Sequence, residues 1–252
     1  MPHAANSART PAYGVDAGYL IPLAGLLTLG IVVTAAALHA WVPLIAACTS
    51  LSFLGTGLHT SRRGKFLAWE EVLDELHLRG DERVLDLGCG RGAVLMAAAR
   101  RLTSGRGVGV DIWSRADQSG NLVDATLANA EAEGVAARVT PLTADMRALP
   151  FLADSFDVVV SNVAIHNIRG ARGRAAAIDE AARVLRPGGR LLVADLAHTS
   201  VYSRRLGELG LLEIGRRSLG WRMWWSGPWR ATYLVTATKP EAGSLAAAAG
   251  AH

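Results

Sequence analysis

Residues 84–95 read Val-Leu-Asp-Leu-Gly-Cys-Gly-Arg-Gly-Ala-Val-Leu, and no other stretch of the chain constrains its fold as tightly. An apolar run carries Asp86, then glycines follow at 88, 90 and 92, and an alanine-rich helical pattern begins. This is a strand, a tight glycine turn and a helix N-terminus, a geometry that lets a bound molecule approach the backbone closely. A dinucleotide fingerprint spaces its glycines G-x-G-x-x-G, so that a pyrophosphate rests on the helix end. Here the third glycine comes one residue early, and Asp86 puts an acidic group in the strand end. The pattern suits a ligand with an amino group and no phosphate.

Downstream, short apolar strands alternate with helical patterns, the signature of a doubly wound parallel sheet of the α/β class. Strands are expected at 83–87, 107–111, 139–143, 156–161, 190–195, 211–217 and 231–237, with helices at 65–78, 93–102, 117–133 and 174–185. Residues 221–229 leave no room for a crossover helix between the last two strands, so these should pair as an antiparallel hairpin.

Upstream, residues 17–60 contain no Asp, Glu, Lys or Arg. The run divides near His39-Ala40-Trp41 into two pieces, each close to the roughly 20 residues that cross a hydrocarbon core. It reads as a transmembrane helical hairpin, the second piece being the less secure because it holds Pro43, Thr49, Ser50, Ser52 and two glycines. A cleaved signal peptide needs a basic lead and a shorter apolar core. A buried hairpin in a soluble protein is the other alternative. Arg62, Arg63 and Lys65 follow at once, which places that flank and both termini in the cytoplasm. The expected organisation is a disordered lead (1–16), the hairpin (17–60), a catalytic domain (61–240) and a disordered tail (241–252). The net charge of +4 is too small to argue for nucleic acid. Cys48 and Cys89 suggest neither a disulfide framework nor a metal site.

The region 65–240 resembles the class I S-adenosylmethionine-dependent methyltransferases. Four ordered motifs carry the likeness: the glycine turn, Gly-Val-Gly-Val-Asp111-Ile-Trp, Thr143-Ala-Asp145-Met-Arg, and Arg183-Val-Leu-Arg-Pro-Gly-Gly-Arg. The resemblance implies a seven-stranded Rossmann-like sheet with a C-terminal antiparallel hairpin, and S-adenosylmethionine as cofactor. It places Asp86, Gly88, Gly90 and Gly92 around the cofactor, with Asp111 accepting the ribose hydroxyls beside Ile112 and Trp113. Asp145 would accept from the adenine amino group with Met146 next to it, while Ser161 and Asn162 would face the amino-acid end. For Asp111, capping the next helix is the competing role.

His166 follows the fourth strand and is the candidate to orient or deprotonate an acceptor; a structural histidine bonded to backbone is the alternative. Asn167, His198, Tyr202 and Trp225 are substrate-side candidates, with Asp195 and Thr199 near them. Asp117, Gln118 and Asn121 read as caps. Trp221, Trp224, Trp225 and Trp229 suit a membrane interface, a substrate wall or the hairpin core. The expected function is methyl transfer to a small, lipophilic or amphipathic acceptor at the cytoplasmic membrane face. A methyltransferase for a soluble molecule, a nicotinamide-dependent reductase and a non-catalytic membrane scaffold are the competitors.

Overall fold

Strands whose side chains are apolar on both faces need cover on both sides, and β1 (Arg83–Leu87) and β4 (Phe156–Asn162) read that way. Alternation sends their residues to opposite faces. Leu85, Leu87 and Val159 join α6 (Ala171–Val184) and α7 (Thr199–Glu208) in one core. Val84, Val158 and Val160 pack instead with α3 (Lys65–Asp74) and α4 (Ala93–Arg100). α5 (Val123–Ala132) extends the α4 side, where Ala130 meets Leu95 and Met96.

The computed structural model describes residues 10–14, 16, 20–38, 41–114, 118 and 120–241. With β2 (Arg106–Asp111), β3 (Val139–Thr143), β5 (Leu185–Asp195), β6 (Leu212–Ser218) and β7 (Tyr233–Thr238), the sheet order is β3-β2-β1-β4-β5-β7-β6. Strands β1 to β5 are parallel; β7 is antiparallel to β5 and to β6. The chain winds outward from β1 toward β3 and resumes on the other side at β4, so the carboxyl ends of β1 and β4 frame a crevice where ligands bind in such sheets. The expected seven-stranded mixed sheet is therefore present, with boundaries moved by a few residues. Helix 117–133 begins only at Val123, and β5 starts five residues before the expected Arg190.

Two paired helices, α1 (Leu20–Leu38) and α2 (Trp41–His59), precede the sheet. The expectation that both cross a membrane needs correction, because no helix among the described residues is long and apolar enough to do so. Part of the run counted from sequence (17–19 and 39–40) lies outside the described residues. In α2, Thr49, Ser50 and Ser52 donate back to carbonyls one turn earlier. Its last turns pack on protein. Phe53 meets Trp229 edge-on at 4.9 Å, and His59 stacks on Trp221 at 5.0 Å. The Thr60 hydroxyl donates to the Trp224 carbonyl at 2.6 Å. Gly57 and Gly64 let the helix touch backbone, since a Cβ there would come within 2.7 Å of the Trp225 oxygen and 1.8 Å of the Arg222 oxygen. The tryptophan loop thus seats the helical hairpin on the domain.

Residues 10–14 and 16, expected in a disordered lead, lie against the domain. The Ala12 N–H donates to Asn129 Oδ1 at 2.8 Å, and the Tyr13 hydroxyl donates to Glu133 at 2.7 Å. Residues 242–252 of the expected tail lie outside the described residues.

Candidate active site

The glycine turn is pulled down onto β2. The N–H groups of Gly88 and Cys89 both donate to the Val110 carbonyl, at 2.8 and 3.1 Å, and the Gly90 N–H donates to Asp111 Oδ2 at 2.7 Å. Gly88 has φ +73°, and a Cβ there would stand 2.3 Å from that of Ala164. Only glycine allows this close passage between the β1 and β4 loops.

Above the turn lies a cavity of about 490 Å³ at the carboxyl ends of β1, β2 and β4. Among the expected cofactor residues, Asp86, Gly88, Gly90, Asp111, Ile112, Asp145, Met146 and Asn162 line it, as does the substrate-side candidate Asn167. Asp111 is almost buried, and its Oδ1 accepts the Trp113 N–H at 2.6 Å. Beside it Asn121 is 2 % exposed, and its Oδ1 has no hydrogen-bond partner among the described residues. A buried acceptor left so calls for a ligand donor or water. With a near-buried carboxylate next to it, this end of the cavity fits a donor-rich group such as a ribose diol. On the β3 side Asp145 is held by the Arg147 guanidinium through three hydrogen bonds of 2.5–3.0 Å, which keep its carboxyl below the usual range. On the β4 side Asn162 Oδ1 accepts from Trp69 Nε1 at 2.8 Å, which fixes the amide in place.

Asp86 is 2 % exposed, and burial, with Asp111 nearby, pushes its pKa up to about 8 from 3.8. The folded state therefore keeps a proton that the unfolded chain has lost, so the contribution of Asp86 to stability falls as pH rises from about 4 to about 8. Asp86→Asn has no such proton to lose. Its Tm relative to the parent should climb between about pH 5 and about pH 8. Parallel Tm curves across that range would remove the assignment.

Other expected residues are not at the cavity. Ser161 is buried and its hydroxyl donates to the Leu87 carbonyl at 2.8 Å, tying β4 to β1. Gly92 caps α4, where a Cβ would strike Met96 and Thr126. Trp113 turns its indole N–H to Thr143 at 2.7 Å. His198 is exposed at the start of α7. Tyr202 is 1 % exposed and donates to Asp195 at 3.3 Å, and Trp225 donates to Thr232 at 3.0 Å beneath the hairpin. The side chains of Ser161, Trp113, Tyr202 and Trp225 found protein partners that sequence spacing does not reveal.

His166 does not line the cavity, but its neighbours Asn167 and Ile168 do. Its Nδ1 lies 2.6 Å from Asp195 Oδ1, a close contact outside ideal hydrogen-bond alignment. Asp195 is fully buried and accepts the N–H groups of Leu196 (2.7 Å) and His166 (3.0 Å) as well as Tyr202. A buried carboxylate at Nδ1 favours the tautomer that leaves Nε2 as an acceptor.

Asp16, Lys65, Gln118 and Asn121 also line the cavity. Sequence reasoning placed Asp16 in the lead, Lys65 in a basic membrane flank, and the other two as helix caps. Gln118 Oε1 accepts the Arg91 N–H of the glycine turn at 2.9 Å, an arrangement no local pattern signals.

Residues 84–189 match the family described as the methyltransferase domain. The chain is 33% identical over 135 residues to the ubiquinone/menaquinone biosynthesis C-methyltransferase UbiE of Dinoroseobacter shibae, covering 53% of this chain and 50% of that protein. It is 30% identical over 136 residues to the sterol 4-C-methyltransferase strm-1 of Caenorhabditis elegans, covering 53% and 36%. The chain thus spans half or less of these relatives' lengths. Among solved structures, the YcgJ protein from Bacillus subtilis aligns with a TM-score of 0.54 at 18% identity, over 69% of this chain and all but 1% of the other. A geranyl diphosphate methyltransferase solved with S-adenosylmethionine aligns at 0.56 and 16%, over 72% and 87%. These two likenesses establish the fold. From the first strand of the sheet to the turn inside the fifth, residues 84–189 match the methyltransferase-domain family, on a sheet whose fold solved methyltransferases share.

Proposed function

We propose that this protein transfers a methyl group from S-adenosylmethionine to a small lipophilic acceptor at a membrane surface, with the cavity above β1, β2 and β4 as the donor site. The observation that carries this reading is physical continuity between an apolar hairpin and that cavity. α2 runs through a π-helical turn (Thr60–Gly64) straight into α3, which supplies Lys65 to the cavity and Trp69 to Asn162. On the hairpin, Leu26, Leu27, Leu29, Val33, Ile45 and Leu51 are each more than half exposed. Six large apolar side chains exposed on one hairpin fit a lipid or protein cover. Arg62 and Arg63, both exposed, sit where anionic headgroups would be. The names of the relatives, quinone and sterol C-methyltransferases, agree with a lipophilic acceptor. The domain would face the cytoplasm, where the donor is made.

When bound, the cofactor supplies an electrophilic methyl on a sulfonium that leaves as a neutral thioether. The chain's own part is to bind and align. Asp111 and Asn121 hold the polar middle of the donor, Asn162 and the Gly88–Gly90 turn face its reactive half, and Ile112 and Met146 cover its aromatic end. Where the acceptor must lose a proton, His166 Nε2 takes it and Asp195 stabilises the resulting imidazolium. Holding donor and acceptor in line supplies most of the remaining acceleration.

A second reading keeps the chemistry and makes the hairpin an anchor only. It is favoured by a 37% match over 123 residues to the 27-O-demethylrifamycin SV methyltransferase of Amycolatopsis mediterranei. Vesicle flotation tests the membrane half of the proposal. The full chain should float with anionic phosphatidylglycerol vesicles. Leu26→Glu combined with Leu29→Glu should cut flotation more than about tenfold, since each removes an apolar anchor contributing about 1.5–3 kcal/mol when buried. A parent chain that stays in the dense fraction would sink the membrane assignment and leave the methyltransferase reading standing.

A further inference from the structure

Lys65 is an unusual residue to find where it is. Its side chain is 2% exposed, it opens α3, and it lines the cavity together with Asp16. A buried ammonium is costly unless paired, and its partner is Asp16 Oδ2 at 2.7 Å. Asp16 belongs with residues 10–14 to a short strap that lies on the domain ahead of the hairpin. Ser61 donates to the same oxygen at 2.9 Å, and Gln118 donates to Asp16 Oδ1 at 3.0 Å. Lys65 has three N–H donors, and Asp16 is its only hydrogen-bond acceptor among the described residues. Donor capacity therefore remains at the cavity wall.

Position decides what this pair faces. One helical turn beyond Lys65, Trp69 holds Asn162 at the end of β4. Lys65 therefore stands toward the β4 side of the cavity, with Asp16 between it and Gln118 at the glycine turn, while Asp145 and Met146 follow β3 at the outer edge of the sheet. A donor with its ribose at Asp111 and its base toward β3 has its amino-acid end pointing the other way. That end is a zwitterion, one carboxylate and one ammonium. Lys65 and Asp16 offer one charge of each opposite sign.

We propose that Lys65 receives the carboxylate and Asp16 the ammonium of the cofactor's amino-acid end, so that the strap leading into the hairpin completes the donor site; this rests on the reading of the cavity as an S-adenosylmethionine site. The strap then acts as part of the binding wall, and losing it weakens the donor without touching the sheet.

The test is calorimetric binding of S-adenosylhomocysteine, its decarboxylated analogue and 5′-methylthioadenosine to the full chain in mild detergent. Lys65→Met should weaken S-adenosylhomocysteine about 10- to 100-fold, the range of a hydrogen bond to a charged group. It should leave 5′-methylthioadenosine, which has no amino-acid end, within about twofold. The parent's preference for S-adenosylhomocysteine over the decarboxylated analogue should vanish in the variant, because the carboxylate has lost its partner. Asp16→Asn, isosteric and at the more exposed end of the pair, should also weaken S-adenosylhomocysteine and spare 5′-methylthioadenosine. It decides the matter if Lys65→Met does not fold. Equal weakening of all three ligands, or unchanged S-adenosylhomocysteine affinity in either folded variant, overturns the inference and leaves the methyltransferase reading intact. A parent chain that binds none of the three overturns both.

Discussion

Asp111→Ala should remove measurable S-adenosylmethionine binding, a loss of at least about 100-fold, while the sheet stays folded. The carboxylate would accept from two hydroxyls, each charge-assisted bond contributing about 1.5–3 kcal/mol, so losing both costs about 3–6 kcal/mol. A second cost comes from the protein side. Asp111 also accepts the N–H groups of Gly90 and Trp113, so the alanine removes one of the ties between the glycine turn and β2, the Val110 carbonyl keeping the others, and leaves two backbone donors without that partner. Asp111→Asn separates these effects. It keeps one acceptor for the turn and lacks the negative charge, so it should lose about 10- to 100-fold with little change in Tm. Calorimetric titration with both variants measures the difference. Parent-like affinity in Asp111→Asn would remove the ribose assignment and leave Asp111 as a support for the turn alone.

His166→Ala should lower kcat about 10²- to 10⁴-fold, the range for a positioned acid–base group, with the donor KM within about threefold because His166 lies off the cavity lining. Asp195→Asn should follow it in the same direction, since the amide can present an N–H to Nδ1 and impose the wrong tautomer. The comparison also tests a structural histidine. If His166 only ties the β4 loop to β5, the Ala variant loses Tm, because the Nδ1 contact to buried Asp195 is gone, and keeps kcat, because the backbone N–H of residue 166 still holds the loop on Asp195. A drop in kcat with an unchanged donor KM is the signature of the base. Falling stability with an unchanged kcat would give the pair to the fold.

Local pattern made the sheet legible. The glycine turn at 88–92, the apolar β1 and β4, and the short link between β6 and β7 each encode their structure within a few residues. Part of the cavity lining was legible for the same reason, since Asp86, Asp111 and Asn162 stand in the ends of strands that the pattern fixes, and Asp145 follows one closely. What sequence could not supply was contact over distance. Asp16 reaches Gln118 and Ser61 across 102 and 45 residues, and nothing around it resembles an element. Lys65 looked like a headgroup contact because positive charge after an apolar run has that meaning, yet the π-helical turn before α3 rotates it inward. Trp225 and its neighbours were weighed as a substrate wall, but the close backbone approach allowed by Gly57 and Gly64 brings α2 onto them. Ser161 and Tyr202 are polar residues that found buried acceptors, at Leu87 and Asp195, and so left the ligand site.

The central claim is methyl transfer to a lipophilic acceptor. The direct measurement incubates the purified full chain in mild detergent with methyl-labelled S-adenosylmethionine and a total lipid extract, then partitions the products. Label in the organic phase that disappears with His166→Ala is the predicted result. Label confined to the aqueous phase, or none in either phase, contradicts the account.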